Sequence, residues 1–96
     1  MSFGVNVTYR VKPGRGQEFL DELSAAGIRD IVLKEEGCIR YDFYLPVEKR
    51  DEVLLVECWE KQEDQQRHVK QPHVVHQIRE IKERLVDETI LVCYEF

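Results

Sequence analysis

Two hydrophobic periods alternate along this chain, and their order limits the folds open to it more than any other feature. From Phe3 to Val11 the apolar Phe3, Val5, Val7, Tyr9 and Val11 alternate with Gly4, Asn6, Thr8 and Arg10, the two-residue period of a strand with one strongly apolar face. Pro13-Gly14 ends it. From Gln17 the period becomes helical: Phe19, Leu20 and Leu23 recur at three- and four-residue steps, and Ile31, Val32 and Leu33 carry the stripe beyond Gly27, which is expected to bend or divide the helix. Glu36-Gly37 then turns into Cys38 to Leu45, where Ile39, Tyr41, Phe43 and Leu45 alternate with Arg40, Asp42 and Tyr44 up to Pro46. The runs Val53 to Val56 and Ile90 to Tyr94 are apolar at every position, as in strands covered on both faces. Between them lie a short polar helix from about Gln62 and a longer one from Pro72, whose Val74, Ile78, Ile81 and Leu85 form one stripe.

The order strand, helix, strand, strand, helix, strand is the α+β ferredoxin-like βαββαβ plan with an antiparallel sheet, and 96 residues provide one domain, residues 1–96, with one core. Helices cover only one face of such a sheet, yet two strands are apolar throughout. The economical cover for the second face is another copy packed sheet against sheet, so a homodimer is expected. Burying a few hundred Å² of apolar surface at ~25 cal/mol/Å² contributes on the order of 10 kcal/mol before the costs of association.

A formal net charge of -5, with 14 basic residues scattered among 19 acidic ones, argues against a nucleic-acid partner, which calls for clustered Lys and Arg. No apolar stretch approaches the ~20 residues of a membrane span, and Met1 to Arg10 lacks a signal-peptide pattern. A cytoplasmic protein without a membrane partner is expected. Cys38, Cys58 and Cys93 are odd in number and form no C-x-x-C pair. They read as buried strand thiols rather than as a disulfide framework or a metal site.

The segment Glu36-Gly37-Cys38-Ile39-Arg40-Tyr41-Asp42-Phe43-Tyr44, then Glu57-Cys58-Trp59-Glu60, then His68-Val69-Lys70-Gln71-Pro72-His73 resembles the signature of the antibiotic-biosynthesis monooxygenase family. That signature runs E-G-C-x-R-Y-x-x-Y, E-x-W and H-x-x-x-P-H, in this order and at these spacings. One departure is Gln65, where the family usually places an apolar residue. The resemblance implies a dimeric α+β barrel with one pocket per subunit, between sheet and helices. Relatives of this kind include cofactor-independent oxygenases of quinols and aromatic polyketides, haem-degrading monooxygenases and an isomerase of a phosphorylated signalling sugar. The family therefore implies a fold more narrowly than a reaction.

Several residues are candidates for chemistry. Trp59 offers a flat apolar face and one N–H, for stacking on an aromatic substrate or for filling the core. Glu57, two residues away on the same strand face, reads as a buried base or as an ion-pair partner at the rim. Among the histidines, His76 falls opposite the apolar stripe of its helix and is expected in solvent; His73 lies beside the stripe; His68 precedes Val69 and is expected to point into the pocket. Asn6, on the polar side of the first strand, stands about where family oxygenases carry a substrate-binding asparagine, although a strand-edge hydrogen bond explains it equally well. Tyr44 and Arg40 belong either to the cavity or to the dimer interface.

The leading expectation is a monooxygenase that needs no cofactor or metal and oxidises a small electron-rich aromatic or quinol with O2. His68 would serve as base, with Asn6 and Trp59 holding the ring and His73, Tyr44, Arg40 and Glu57 around the substrate. The alternatives are an isomerase of a small phosphorylated carbonyl compound, gripped by Arg10, Arg40 and Lys34, and a non-catalytic dimer that binds a small molecule or holds haem on His68 or His73.

Overall fold

The computed structural model describes residues 1–96. Its elements run β1 (Phe3–Val11), α1 (Gly16–Ala25), α2 (Ile28–Leu33), β2 (Cys38–Tyr44), β3 (Glu52–Trp59), α3 (Gln62–His68), a π-helical turn (His73–Ile78), α4 (Arg79–Leu85) and β4 (Val86–Glu95). The four strands form one sheet in the order β2-β3-β1-β4, with every neighbouring pair antiparallel. This is the ferredoxin-like α+β arrangement. Gly27 does divide the first helical stretch: it adopts φ 67° between α1 and α2, a left-handed conformation that glycine reaches without a Cβ clash.

Strand pairing decides which residues meet the helices. Val5 lies opposite Glu57 and Val7 opposite Leu55, so the odd positions of β1 and β3 share one face. On it, Phe3, Val5, Val7, Tyr9, Val11, Tyr41, Val53, Leu55 and Trp59 form the core with Phe19, Leu23, Ile28, Val32, Ile78, Ile81 and Leu85 from the helices. The Tyr9 and Phe19 rings meet edge to face, 5.0 Å apart, a favoured aromatic geometry.

The opposite face carries no helix. Asn6 and Thr8 from β1, Leu54, Val56 and Cys58 from β3, and Arg40, Asp42 and Tyr44 from β2 stand there half-buried or exposed. The apolar runs are thus not covered on both faces within one chain. Leu54 and Val56 are half-buried, and Ile90, Leu91, Val92 and Tyr94 of the edge strand β4 are all exposed. The expectation of buried thiols needs correction too: Cys38 and Cys58 are half-buried and Cys93 is exposed, because no helix reaches across β4. Strand β4 also starts earlier than its apolar run suggests, at Val86, directly after α4 without a loop. No helix is long and apolar enough to cross a membrane.

One glycine sets how closely α3 approaches the sheet. Gly37 has φ 81°, and a Cβ there would overlap the buried Asp64 carboxylate on α3. Its carbonyl accepts the Glu60 N–H at 2.8 Å, which ties the start of β2 to the end of β3. Gly14 has a similar φ of 75° but open space around it. Gly14→Ala should therefore cost about 1 kcal/mol, the left-handed backbone penalty alone. Gly37→Ala should cost about 3 kcal/mol or more, because overpacking adds to it. Urea unfolding of both variants checks this, and equal losses would show that the Asp64 approach is not constrained.

Candidate active site

The centre of the site is a carboxylate between two imidazoles. Glu35 follows the end of α2, and its N–H still bonds back to the Val32 carbonyl at 2.9 Å, so the helical turn carries the side chain inward. One oxygen, Oε2, lies 2.9 Å from His68 Nδ1 and 2.8 Å from His73 Nε2. His68 closes α3, and His73 opens the π-helical turn. A π turn widens the helix and is common at functional positions. Here the Arg79 N–H reaches back five residues to Val74.

His68 is almost fully buried at 3% exposure. The Trp59 ring lies 4.9 Å from it and the Tyr41 ring 5.5 Å. Burial depresses its pKa, and the hydrogen bond and charge of Glu35 oppose this only in part; the ring is therefore neutral at neutral pH. With Nδ1–H donated to the Glu35 carboxylate, the second nitrogen, Nε2, holds a lone pair. No protein group bonds Nε2, yet no enclosed polar side-chain atom lacks a partner. Nε2 must therefore border open space.

That space is a cavity of about 110 Å³ between the sheet and the helices, lined in part by Tyr9, Tyr41, Glu57, Gln65, His68 and Lys82. Trp59 donates its Nε1–H to one Glu57 oxygen at 3.0 Å. Burial pushes the Glu57 pKa up to about 7, with the Trp59 hydrogen bond working against the rise and the charge of Glu35 adding to it. Burial likewise raises the Tyr9 and Tyr41 hydroxyls, which stay protonated as donors. The Lys82 amine lies 5.6 Å from the Tyr9 ring centroid, and burial lowers its pKa. The arrangement offers a neutral base, three proton donors and one cation around a space on the order of one aromatic ring. For scale, a dry cavity of ~150 Å³ accepts benzene.

Residues 2–80 match the family model described as antibiotic biosynthesis monooxygenase. The chain belongs to the antibiotic biosynthesis monooxygenase family. Solved structures agree with the assignment. A conserved protein from Methanosarcina mazei superimposes with a TM-score of 0.86 at 29% identity, over 99% of this chain and 92% of that one. A protein from Bacteroides thetaiotaomicron, described as a possible oxidoreductase, gives a TM-score of 0.83 at 30% identity, over 99% and 97%. A protein from Nitrosomonas europaea, provisionally assigned as an antibiotic biosynthesis monooxygenase, gives 0.87 at 17% identity, over 99% and 89%, and supports the fold alone. No curated protein is detected as a relative.

Within this member of the family, the expected site residues divide into two groups. His68 and Glu57 line the cavity, and His73 joins them through Glu35. Trp59 is fully buried and does not line it, so the ring stands behind Glu57 and His68 and presents no face to a substrate. Asn6, Arg40 and Tyr44 lie on the opposite face of the sheet. There Tyr94 donates to Asn6 at 3.3 Å, and Arg40 bonds both Tyr44 and Asp42. The cations proposed for a phosphate do not converge: Arg10 pairs with Glu52 and Glu88, Arg40 with Asp42, and Lys34 is exposed. His76 is exposed, as its helical phase requires. Glu35, Tyr9, Tyr41 and Lys82 were not anticipated. Lys82 carried a usable signal, since it stands four residues after Ile78 and eight after Val74 on one helix face.

Glu57 has a consequence for stability. Its folded pKa of about 7 lies above the ordinary value of 4.5, so the native state binds the extra proton. The associated stability is complete below about pH 4.5 and is lost as pH rises toward 7, by on the order of 3 kcal/mol in all. Urea unfolding at pH 5 and pH 7 should show wild type losing more stability than Glu57→Gln, which still accepts from Trp59 but does not titrate. Parallel pH dependence in the two proteins would contradict a buried, proton-binding Glu57.

Proposed function

We propose that the protein is a cofactor-independent monooxygenase that oxidises a small, electron-rich hydroxylated aromatic or quinol with O2. The observation that carries this reading is the unpartnered Nε2 of the buried, neutral His68, backed by the Glu35 carboxylate and facing a partly open cavity of ring size. A phenolic hydroxyl bound there gives its proton to Nε2, and Glu35 stabilises the imidazolium that forms, as the carboxylate does in an acid–base triad. The phenolate passes an electron to O2, and the two radicals combine at a ring carbon. One oxygen atom stays on the ring as a carbonyl; the other leaves as water with the phenolic and ring hydrogens.

Charge on the substrate oxygens develops beside the Tyr9 and Tyr41 hydroxyls and the Lys82 amine, groups fixed before reaction begins. Apolar side chains of Val7, Val69, Val74, Ile78 and Leu91 line the rest of the cavity, and a ring seated among them is partly screened from water. The volume favours a single ring over a fused polycycle. In this reading Trp59 and His73 position Glu57 and Glu35, and Asn6, Tyr44 and Arg40 belong to the face where a second copy packs.

Oxygen-electrode assays with a dihydroxyaromatic should show O2 consumption without added metal, flavin or nicotinamide. His68→Ala should lower the rate by ~100-fold or more, the usual size of a general-base contribution, and His76→Ala should have little effect. Full activity in the His68 variant would remove the base from the scheme; equal losses in both would point to destabilisation. The exposure of Ile90, Val92 and Tyr94, which pair with Thr8, Asn6 and Gly4 on the bare face, further supports a homodimer joined through the sheets, for which light scattering at micromolar concentration should give twice the chain mass. A stable monomer would leave that apolar face without an explanation.

A further inference from the structure

We infer that Glu35, His68 and His73 form a binding site for one divalent first-row transition-metal ion. Glu35 Oε2, His68 Nδ1 and His73 Nε2 all lie within 4.8 Å of one another. An ion held at ~2.0–2.1 Å from each ligand in tetrahedral geometry sets neighbouring ligand atoms roughly 3.3–3.5 Å apart. The contacts to Oε2 are now 2.9 and 2.8 Å and the three ligand atoms lie within 4.8 Å of one another, so an ion fits once each Oε2 contact opens by about half an ångström and the two ring nitrogens settle at about 3.4 Å.

The donor set selects the ion. Two imidazole nitrogens and one carboxylate suit Zn2+, Co2+, Ni2+ or Fe2+, whereas Mg2+ and Ca2+ demand oxygen ligands. Coordination takes both imidazoles in their neutral form, so the bound trio presents the single negative charge of Glu35 to the cation. The ligands are also held in advance: His68 is packed against Trp59 and Tyr41, and the His68, His73 and Glu35 side chains are only 3%, 14% and 13% exposed. His73 also borders a surface hollow beside Pro72, His76 and Gln77, so one of the three ligands adjoins solvent.

Occupancy changes the chemistry of His68. Coordination through Nδ1 requires the ring proton to sit on Nε2, so the nitrogen that faces the cavity becomes a donor and ceases to be a base. This consequence rests on the proposed oxygenase reading, while the metal site does not. Ion binding and proton abstraction are then mutually exclusive at one imidazole.

Chelator-treated protein titrated with Co2+, and then with Zn2+ in competition, should bind one ion per chain with micromolar or tighter affinity. Glu35→Gln and His73→Ala should each weaken binding about tenfold or more; replacing all three cysteines by serine should leave it unchanged. Imidazole NMR signals of wild-type His68 and His73, but not of His76, should shift on Zn2+ addition, a readout that depends on no variant folding correctly. Absence of binding at millimolar Zn2+, or binding that follows the cysteines or His76, would overturn the inference. Because these measurements need no substrate, ion binding without O2 consumption would defeat the oxygenase reading alone, and the reverse result would defeat the metal site alone.

Discussion

A single carboxylate oxygen of Glu35 accepts from two imidazoles, and through those two contacts the end of α2, the end of α3 and the start of the π-helical turn meet across 33 and 38 residues of sequence. Hydrogen bonds to a charged partner contribute about 1.5–3 kcal/mol each. Removing the carboxylate would also leave the His68 Nδ1–H enclosed without an acceptor. Helix α3 depends on such polar anchoring because it has almost nothing apolar to bury. Its two enclosed residues are Asp64 and His68, one turn apart. The first is held between Gly37 and Arg67, and the second by Glu35. Gln65, where the family usually has an apolar residue, adds no packing and lines the cavity instead.

The one-sided placement of the helices then separates the two faces of the sheet by role. Every titratable group that meets the cavity comes from the helix-covered side, where burial moves Glu57, His68, Tyr9 and Tyr41 away from their ordinary protonation ranges. On the bare side, Arg40, Asp42 and Tyr44 pair with one another in solvent, and such exposed pairs contribute little to stability. Tyr94 lies across Gly4, where any Cβ would overlap its ring, so the glycine in β1 belongs to the bare face and not to the cavity.

The strand and helix periods are legible in the residues themselves: they give β1 at its observed limits, Gly27 as a break and His76 as solvated. What remained hidden depends on three-dimensional facts that period cannot carry. Asn6 and Glu57 are each on a definite side of their own strand, but only the pairing of Val5 with Glu57 shows that these sides differ. Glu35 and Glu36 are adjacent and chemically identical; the last turn of α2 carries one inward and leaves the other in solvent. Continuous apolar runs mark surface that requires cover, and in β4 that cover is absent within the chain. Trp59 illustrates the same limit, since a ring suited to stacking on a substrate is equally suited to packing behind the residues that touch one.

Charge balance explains why so many ionisable groups can share a small cavity. Below its pKa of about 7 Glu57 is protonated, and with His68 neutral the ionised groups near the cavity reduce to the Glu35 carboxylate and the Lys82 amine. In the proposed reaction, proton transfer from a bound phenol to His68 would create an ion pair without changing the net charge of the cavity, and the imidazolium would form next to the existing carboxylate. A second ionised carboxylate at Glu57 would oppose a phenolate in the same low-dielectric volume. Burial of Glu57 against Trp59 therefore does more than fill the core: below about pH 7 it keeps that wall of the cavity neutral, so that an anion formed by the proposed reaction would meet hydroxyl donors and the Lys82 amine.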